Sequence, residues 1–337
     1  IALLLRRQKV KITIISLGKN HYRSELLKNK IKIIELNIKR TIFAIFYIKI
    51  ILREESKKFH TYFISNINYA NVLTSIFLTS IKNIRIILIE RTPVQELFFH
   101  NSLLEFVKKR FIYYLAANFY KKANAVIGNS KNLSKDWSKI INRTVRTIYP
   151  ITEITKSKKT ISNQIRLTWI GRNSPEKNIS DFINCLEYLN LNKYKINIIT
   201  DKIDKKEINI KILKAVKFYS FVNDKKKIES YYKDTDILVS TSYYEGFPNV
   251  VAEAINYNCL IIASKNYGGI YDLIKNRNYG IFYEIGNAKE LAKKINSIKL
   301  FSKSTLKKIK LAKQNLKSIA TKHNKDFENL FINKELI

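Results

Sequence analysis

The sequence predicts an α/β protein made of two doubly wound parallel-sheet domains that face each other across a cleft and end in C-terminal helices. Short apolar runs alternate with longer amphipathic segments along the chain, a rhythm typical of parallel sheets with helices on both faces. The alternation stops once, at the polar and aperiodic stretch Thr152–Asn163, and then resumes. We therefore expect one domain at residues 1–150 and a second at residues 151–337.

In the first domain, apolar runs predict strands and amphipathic segments predict helices. The predicted strands are Val10–Ser16, Ile31–Glu35, Tyr62–Ser65, Ile84–Ile89, Ala125–Gly128 and a last one at Thr147–Ile151. The predicted helices are Ile42–Glu54, Ala70–Ile81, Leu103–Lys121 and Leu133–Ile141.

The second domain repeats this pattern. The predicted strands are Arg166–Ile170, Lys195–Thr200, Val216–Tyr219, Ile237–Ser240, Leu260–Ala263 and Gly280–Tyr283. The predicted helices are Ile179–Leu189, Lys225–Lys233, Val250–Tyr257 and Ala288–Ile298, followed by one or two basic amphipathic helices in residues 304–336. In such sheets, ligands bind beyond the carboxyl ends of the strands.

Composition excludes several classes of protein. The chain has 337 residues, and no uninterrupted apolar run is long enough to span a bilayer. Its two cysteines, Cys185 and Cys259, stand far apart without a CxxC or Cys/His cluster, so we expect no structural zinc site. Isolated cysteines suit a reducing compartment, and we expect a cytoplasmic protein.

The charge is strongly positive, with 62 Lys and Arg against 27 Asp and Glu, a net +35. One interpretation is a protein that binds nucleic acid or an anionic membrane. The other is compositional bias, because Ile, Lys and Asn abound while only 8 Gly and 4 Pro occur. A basic surface attracts phosphates and anionic lipid headgroups under either interpretation.

The segment from Ser242 to Glu253 carries the clearest chemical signal. It places two carboxylates, Glu245 and Glu253, eight positions apart across the turn Gly246-Phe247-Pro248. Proline suits the first turn of a helix, so a helix should begin there, with free N–H groups at residues 249–251 as an anion site. Two solvated glutamates on a surface helix are the alternative, which the apolar context disfavours.

A basic loop follows the first strand of the second domain. Gly171 ends that strand, and Arg172 and Lys177 follow on a loop that leads into a helix. Two cations at such a junction suit a diphosphate, with arginine as a fork and lysine as a point charge. A solvated loop is the alternative when this segment is considered alone.

In this order and spacing, these segments resemble the family 4 retaining glycosyltransferases, also called glycosyltransferase group 1. The matching segments, within about residues 165–300, are Gly171-Arg172, Pro175-Glu176-Lys177-Asn178, Asp236–Ser240, Glu245–Ala254 and Gly268-Gly269. The first half of the chain resembles the family more loosely, through its alternation of strands and helices, Ala123–Ser130 and Pro150.

The resemblance implies a GT-B fold of two Rossmann-like domains and a retaining hexosyltransferase that uses a UDP- or GDP-sugar, with no cofactor and no metal. By position, Arg172 and Lys177 would bind the donor diphosphate, Glu245 the hydroxyls of the donor sugar, and Glu253 the ribose hydroxyls. The implied donor-binding set is Gly171, Ser220, Gly246, Phe247, Pro248, Asn249, Val250, Val251 and Glu253.

The resemblance also implies a setting. The acceptor would be a glycan or a lipid-linked glycan in surface polysaccharide or lipopolysaccharide synthesis, at the inner face of the cytoplasmic membrane, and no nucleic acid is expected as a partner. The helical segments Ile42–Glu54 and Leu103–Lys122 carry aromatic and basic residues. They are either ordinary core-facing helices or the site of peripheral contact with an anionic membrane.

The chain departs from the family pattern in several places. Ser220 stands where many members have glycine, and Tyr271-Asp272 stands where Pro-Glu is common. We also expect the first strand and glycine-rich loop of the family to be missing. In the first domain, Arg91 is the candidate cleft residue, whereas His100 reads as a surface histidine.

Three alternative functions therefore stay open. The chain could be a GT-B relative with different chemistry, such as a nucleotide-sugar epimerase, or an inactive donor-binding fragment. A basic nucleic-acid-binding protein is the third alternative, which rests on charge alone because no RRM, KH or zinc-finger signature is present.

Overall fold

The computed structural model describes residues 10–100, 102–150, 154–155, 162–205, 208–221, 224–275 and 278–331. In the first domain, two parallel strands form one small sheet and four parallel strands form another, in the order β3-β4-β5-β6. The strands are β1 (Thr13–Ser16), β2 (Lys32–Glu35), β3 (Thr61–Asn66), β4 (Ile84–Glu90), β5 (Ala125–Gly128) and β6 (Arg146–Thr147).

Five helices accompany these strands in the described part of the first domain. They are α1 (Arg23–Lys28), α2 (Thr41–Lys58), α3 (Asn68–Phe77), α4 (Leu103–Phe119) and α5 (Lys131–Ile141). Strand β4 is buried along most of its length, and Ile86 and Leu88 pack in one cluster with Val72 of α3 and Trp137 of α5. Strands β4 and β5 are almost wholly apolar, and they lie in the middle of this sheet with a strand on either side.

The second domain contains a six-stranded parallel sheet in the order β14-β12-β10-β7-β8-β9. Its strands are β7 (Ile165–Ile170), β8 (Tyr194–Thr200), β9 (Val216–Ser220), β10 (Ile237–Ser240), β12 (Leu260–Ser264) and β14 (Ile281–Tyr283). Counted along the chain this is the order 6-5-4-1-2-3, which reverses direction between β7 and β10. A crevice forms at such a switch point, beyond the carboxyl ends of the two strands.

An ion pair helps to fix β7 beside β10. The guanidinium of Arg166, which is almost completely buried, donates to both carboxylate oxygens of Asp236 at 2.6 and 2.9 Å. Bidentate pairs of this kind are geometrically specific. The pair lies at the amino-terminal end of the switch point, so it holds the two strands without occupying the crevice.

A further pair of two-residue strands lies beyond this sheet: β11 (Tyr244–Glu245) pairs in parallel with β13 (Tyr267–Gly268). The helices of the second domain are α6 (Ile179–Leu186), α7 (Ile210–Ala215), α8 (Lys225–Lys233), α9 (Asn249–Asn256), α10 (Ile270–Leu273), α11 (Ala288–Asn296) and α12 (Lys303–Phe331). Helix α12 buries Ala312, Leu316 and Ile319 in one cluster with Tyr149 at the end of the first domain.

The α/β fold class predicted from the sequence is confirmed, with differences in detail. The tail forms one long helix as far as Phe331, and the strand predicted at Thr147–Ile151 is instead the short Arg146–Thr147. Helices α1 and α7 were not predicted, because each has only six residues and too short an apolar pattern. Most of the predicted linker Thr152–Asn163 lies outside the described residues, so the domain boundary stays a prediction.

Among the residues described, no helix is both long enough and apolar enough to cross a membrane.

Candidate donor-binding site

The candidate site begins at the carboxyl end of β7. Gly171 is buried against the indole of Trp169, and a Cβ at this position would crowd that ring. The chain then forms a short 3₁₀ turn at Pro175–Lys177, and Asn178 adopts a left-handed conformation with φ of 49°. This sharp turn places Lys177 over the strand ends.

Lys177 and Glu245 meet at the switch point. The Lys177 ammonium lies 2.5 Å from Glu245 Oε1, and the Ser242 hydroxyl donates to the same oxygen at 2.8 Å. The Thr241 hydroxyl, which accepts from the Trp169 indole at 2.9 Å, donates to the Lys177 carbonyl at 2.7 Å. The loops after β7 and β10 are thus joined through both side chains and backbone.

Arg172 is placed differently from Lys177. Its side chain is 69% exposed and lies 3.4 Å from Glu176, which also accepts from the Ser174 hydroxyl at 2.6 Å. The structure therefore brings Lys177 and Glu245 together but leaves Arg172 at the rim, held by a weak surface pair. A rim arginine keeps its donors accessible to an anionic ligand.

The turn Gly246-Phe247-Pro248 is buried and faces the first domain. A Cβ at Gly246 would clash with the Arg91 carbonyl oxygen and crowd the Asn129 amide. Behind this turn, Gly268 has φ of +127°, and a Cβ there would clash with the Glu245 carbonyl oxygen. Only glycine fits both positions, because backbone atoms cannot move aside as a flexible side chain can.

Helix α9 starts at Asn249, and Pro248 precedes it as the capping residue rather than as its first turn. The Pro248 carbonyl accepts from the Val251 N–H at 3.0 Å and from the Ala252 N–H at 3.1 Å. The prediction of a free N–H at Val251 is therefore wrong, because the turn at Pro248 uses it. Asn249 is exposed and Val250 half-buried, and their N–H groups stand first on a helix whose dipole favours an anion.

A cavity of about 640 Å³ lies between the two domains. Arg91 and Asn129 line it from the first domain, and Asn249 and Glu253 line it from the second. Lys177 and Glu245 do not line this cavity; they lie beside it, across the Gly246-Phe247-Pro248 turn. The predicted residues thus fall into two neighbouring groups, as one extended ligand would require.

Glu253 is one of two carboxylates that line the cavity, and the other is Glu229 of α8. The hydroxyl of buried Tyr232 donates to Glu253 Oε2 at 2.6 Å. Glu253 is exposed to solvent, yet the protein atoms packed around it raise the pKa of its carboxyl by desolvation, an effect that the Tyr232 hydrogen bond partly offsets. Burial, together with the pairing with this carboxylate, raises the pKa of Tyr232 well above its usual value, so this hydroxyl stays a donor.

Ser220 lies apart from the residues that line the cavity. It is the last residue of the edge strand β9 and is exposed. One strand, β8, lies between β9 and β7, the strand that leads to Lys177. Its predicted role in donor binding stays a prediction. His100 is exposed, with Nδ1 3.0 Å from the Phe98 carbonyl oxygen, which agrees with a surface histidine.

Glu90 is a residue that sequence reasoning missed. It is fully buried at the end of β4, and Oε1 accepts from the N–H groups of Arg91 and Thr92, both at 3.0 Å. Its Oε2 accepts from the Tyr120 hydroxyl at 2.8 Å and from Asn68 at 3.1 Å. Burial raises the pKa of Glu90, and these hydrogen bonds oppose the shift. The carboxylate fixes the loop that carries Arg91 against Gly246.

The two domains are also joined by polar contacts around the same loops. The Lys131 N–H at the start of α5 donates to Asp272 Oδ2 at 2.8 Å, and the Tyr267 hydroxyl donates to Asp136 at 2.6 Å. Asp272 thus accepts a hydrogen bond where the family pattern more often has glutamate. Burial raises the pKa of Asp272.

Within the described ranges, no group of three or more His, Cys, Asp or Glu side chains is arranged to hold a metal ion. Whether the reaction needs a metal or a cofactor stays a prediction.

The comparison with protein families decides the identity of the second domain. Residues 150–315 match the family described as "Glycosyl transferases group 1". Residues 150–315 of this chain therefore form a glycosyltransferase group 1 domain. The specific segments on which the sequence resemblance rested lie within or next to the matched range.

Two curated relatives of this chain act in glycan synthesis by their names. Over 123 residues it is 31% identical to the amylovoran biosynthesis glycosyltransferase AmsD of Erwinia amylovora, covering 36% of this chain and 35% of that protein. Over 161 residues it is 26% identical to an α-1,4-N-acetyl-D-galactosaminyltransferase of Campylobacter jejuni that is named for a glycan on PP-undecaprenol, covering 47% of this chain and 45% of that protein. The alignments therefore span less than half of either relative.

Solved structures extend the likeness in fold to the whole chain. HepE of Anabaena, solved with UDP and glucose, has a TM-score of 0.75 at 17% identity, covering 98% of this chain and 94% of that chain. Sucrose-phosphate synthase of Thermosynechococcus elongatus has a TM-score of 0.75 at 13% identity, covering 99% and 92%. At these identities the likeness shows the fold, and it confirms the predicted GT-B architecture.

Proposed function

We propose that this protein is a retaining glycosyltransferase that moves a sugar from a UDP- or GDP-sugar to a glycan or a lipid-linked acceptor. The relatives in amylovoran synthesis and in undecaprenol-linked glycan synthesis support a role in surface polysaccharide or lipopolysaccharide assembly. The UDP and glucose complex of the structural neighbour HepE supports a nucleotide-sugar donor.

The observation that carries the proposal is the contact of Lys177 with Glu245 at the switch point. When the bond between the sugar and the diphosphate breaks, negative charge builds up on the leaving diphosphate. Lys177, Arg172 and the first N–H groups of α9 could stabilise that charge without rearranging, which is the most effective form of electrostatic catalysis. Glu245, held by Lys177 and Ser242, is then placed to accept from hydroxyls of the donor sugar.

Glu253 serves the other end of the donor in this proposal. It lies about one helical turn into α9 and faces the cavity between the domains. A carboxylate there can accept from both ribose hydroxyls, while the Tyr232 hydroxyl keeps it oriented. Residues 245 and 253 are therefore spaced along one extended ligand rather than flanking a single anomeric carbon, as the two carboxylates of a glycosidase would.

The donor is identified by a thermal-shift panel of UDP-, GDP- and ADP-sugars on the wild type. A donor that binds only the native state raises the unfolding midpoint by mass action, and we expect one nucleotide class to do so. Lys177→Ala should reduce this shift, whereas the control Lys294→Ala, which breaks only the exposed pair with Glu290, should keep it. No shift with any nucleotide sugar would contradict the proposal.

A turnover assay on the same donor separates the remaining chemistries. A transferase releases the nucleoside diphosphate only as fast as an acceptor receives the sugar. An epimerase returns an isomeric nucleotide sugar without an acceptor, and an inactive donor-binding protein produces the thermal shift alone. Either of the last two outcomes would contradict the proposed transfer.

A further inference from the structure

The outer face of α4 carries a stripe of apolar side chains that face solvent. They are between 57% and 84% exposed, and they are Leu103, Leu104, Val107, Phe111 and Tyr114. We call these five residues the α4 stripe. Only Ala116 of α4 is fully buried, and Ile112, Tyr113 and Leu115 pack half-buried against the core of the first domain. The helix therefore has apolar residues on both its inner and its outer face.

The stripe has the geometry of a single helix face. At 3.6 residues per turn, its five positions fall within an arc of about 100°. Arg110 borders the arc on one side and Lys108 on the other, and Lys121 and Lys122 follow just beyond the helix end. The single acidic residue of α4, Glu105, lies on the opposite side, paired with Lys109 at 2.8 Å.

Helix α2 provides a contrast within the same domain. It buries Ala44, Ile45, Ile48 and Leu52 in the core of the first domain, as an ordinary core-facing helix does. Its exposed side carries Phe43, Phe46, Tyr47 and Ile50, which are 52–61% exposed, together with the acidic Glu54. Both helices therefore expose an apolar face, and α4 differs in that its exposed apolar face carries no acidic residue.

We propose that the α4 stripe docks onto the surface of an anionic lipid bilayer. An apolar arc bordered by lysine and arginine is the pattern of a helix that lies in the membrane interface, with its apolar side chains among the acyl chains and its basic ones at the phosphates. The net charge of +35 favours a negatively charged occupant and opposes a second copy of the same chain. A nucleic acid would satisfy the charge but not the apolar arc.

Helix α4 also contacts the candidate site, through the side opposite the stripe. The Lys109 ammonium donates to the Phe99 carbonyl at 2.5 Å, and the Phe99 ring lies 6.3 Å from the Tyr243 ring and 5.9 Å from the Tyr244 ring. Glu245 follows directly in sequence. A bilayer on α4 would therefore bring a lipid-borne acceptor towards the cleft, and only this last step rests on the proposed function.

The test is cosedimentation of the full chain with two kinds of vesicle, one of phosphatidylglycerol with phosphatidylethanolamine and one of phosphatidylcholine alone. We expect binding to the anionic vesicles and little to the neutral ones. The variant Leu104→Gln/Phe111→Gln should bind the anionic vesicles about tenfold more weakly or worse, since it removes two of the inserted side chains. The loss should persist at high salt, where the charges are screened.

The matched control is Ile210→Gln/Phe301→Gln, which removes one aliphatic and one aromatic side chain, 67% and 69% exposed, from the second domain. It should bind vesicles like the wild type, and both variants should keep the wild-type unfolding midpoint. The proposal is overturned if the wild type does not bind anionic vesicles, or if the α4 variant binds them as well as the control does. It is also overturned if the α4 variant instead dissociates an oligomer or loses binding to an RNA probe while vesicle binding stays intact.

Discussion

The hydroxyl of Tyr232 donates to Glu253 at 2.6 Å, within the cavity that separates the two domains. This contact opposes the desolvation that raises the pKa of Glu253. In the proposed site, ribose hydroxyls donate to the ionised carboxylate. We therefore predict that donor affinity falls as the pH drops through the raised pKa, measured by calorimetric titration at several pH values.

Two variants test this dependence. Glu253→Gln should bind the donor roughly 10- to 100-fold more weakly, because a hydrogen bond to a charged group is lost, and its affinity should not vary with pH in the acidic range. Tyr232→Phe removes a contact that lowers the pKa, so its loss of affinity should begin at a higher pH. Glu290→Gln on α11 is the control. Equal pH profiles for the wild type and Glu253→Gln would refute the assignment of Glu253 to the donor.

The raised pKa of Glu253 also predicts how the stability of the protein depends on pH. Its pKa is raised in the folded state, so between the ordinary glutamate pKa and the raised value the native protein holds a proton that the unfolded chain has lost. The contribution of Glu253 to the free energy of unfolding therefore falls as the pH rises through this window. In urea unfolding across this pH window, the free energy of unfolding should fall less for Glu253→Gln than for the wild type. The same dependence on pH in both proteins would contradict the prediction.

The prediction for Gly246→Ala follows from the contact between the domains. The added Cβ would clash with the Arg91 carbonyl oxygen, which belongs to the backbone and cannot yield, so the domains must separate locally. We expect transfer to fall on the order of 100-fold, because displacement of about 1 Å near reacting groups has effects of that size. Gly18→Ala is the control, since its Cβ meets nothing within 4 Å. Wild-type turnover in Gly246→Ala would contradict this.

The prediction for Glu90 concerns the loop of the first domain that meets Gly246. Glu90→Gln keeps the shape but turns an amide NH₂ towards groups that also donate, so we expect a loss of roughly 2–3 kcal/mol in the free energy of unfolding. Glu54→Gln, at an exposed pair with Lys57, should leave the free energy of unfolding almost unchanged. Urea unfolding measures both, and similar losses in the two variants would show that the Glu90 contacts are unimportant.

The sequence was sufficient to predict the two α/β domains and the meeting of the Lys177 and Glu245 loops. Buried parallel strands are continuous apolar runs, and their carboxyl ends converge at one edge of the sheet, so positions after two such runs must lie close together. The observed pairing of β7 with β10 brings the two loops into contact.

The remaining features depend on contacts that no local pattern encodes. Glu90 accepts from Tyr120, thirty positions away, so its burial was invisible in an otherwise polar stretch. The two-residue strands β11 and β13 are too short for periodicity, although they hold Glu245 against Gly268. The exposure of the apolar face of α4 was left open by the sequence, because an amphipathic pattern gives the width of an apolar face but does not tell whether that face contacts the core or the solvent.

The central claim is that Lys177 and Glu245 form the donor site of a glycosyltransferase. Its most direct test is the rate of sugar transfer from the identified nucleotide sugar to lipid-linked glycans, for the wild type, Lys177→Ala and Glu245→Ala. We predict transfer by the wild type and a decrease on the order of 100-fold or more in each variant, with unfolding shown to be unaffected by circular dichroism. Full turnover in both variants would contradict the account.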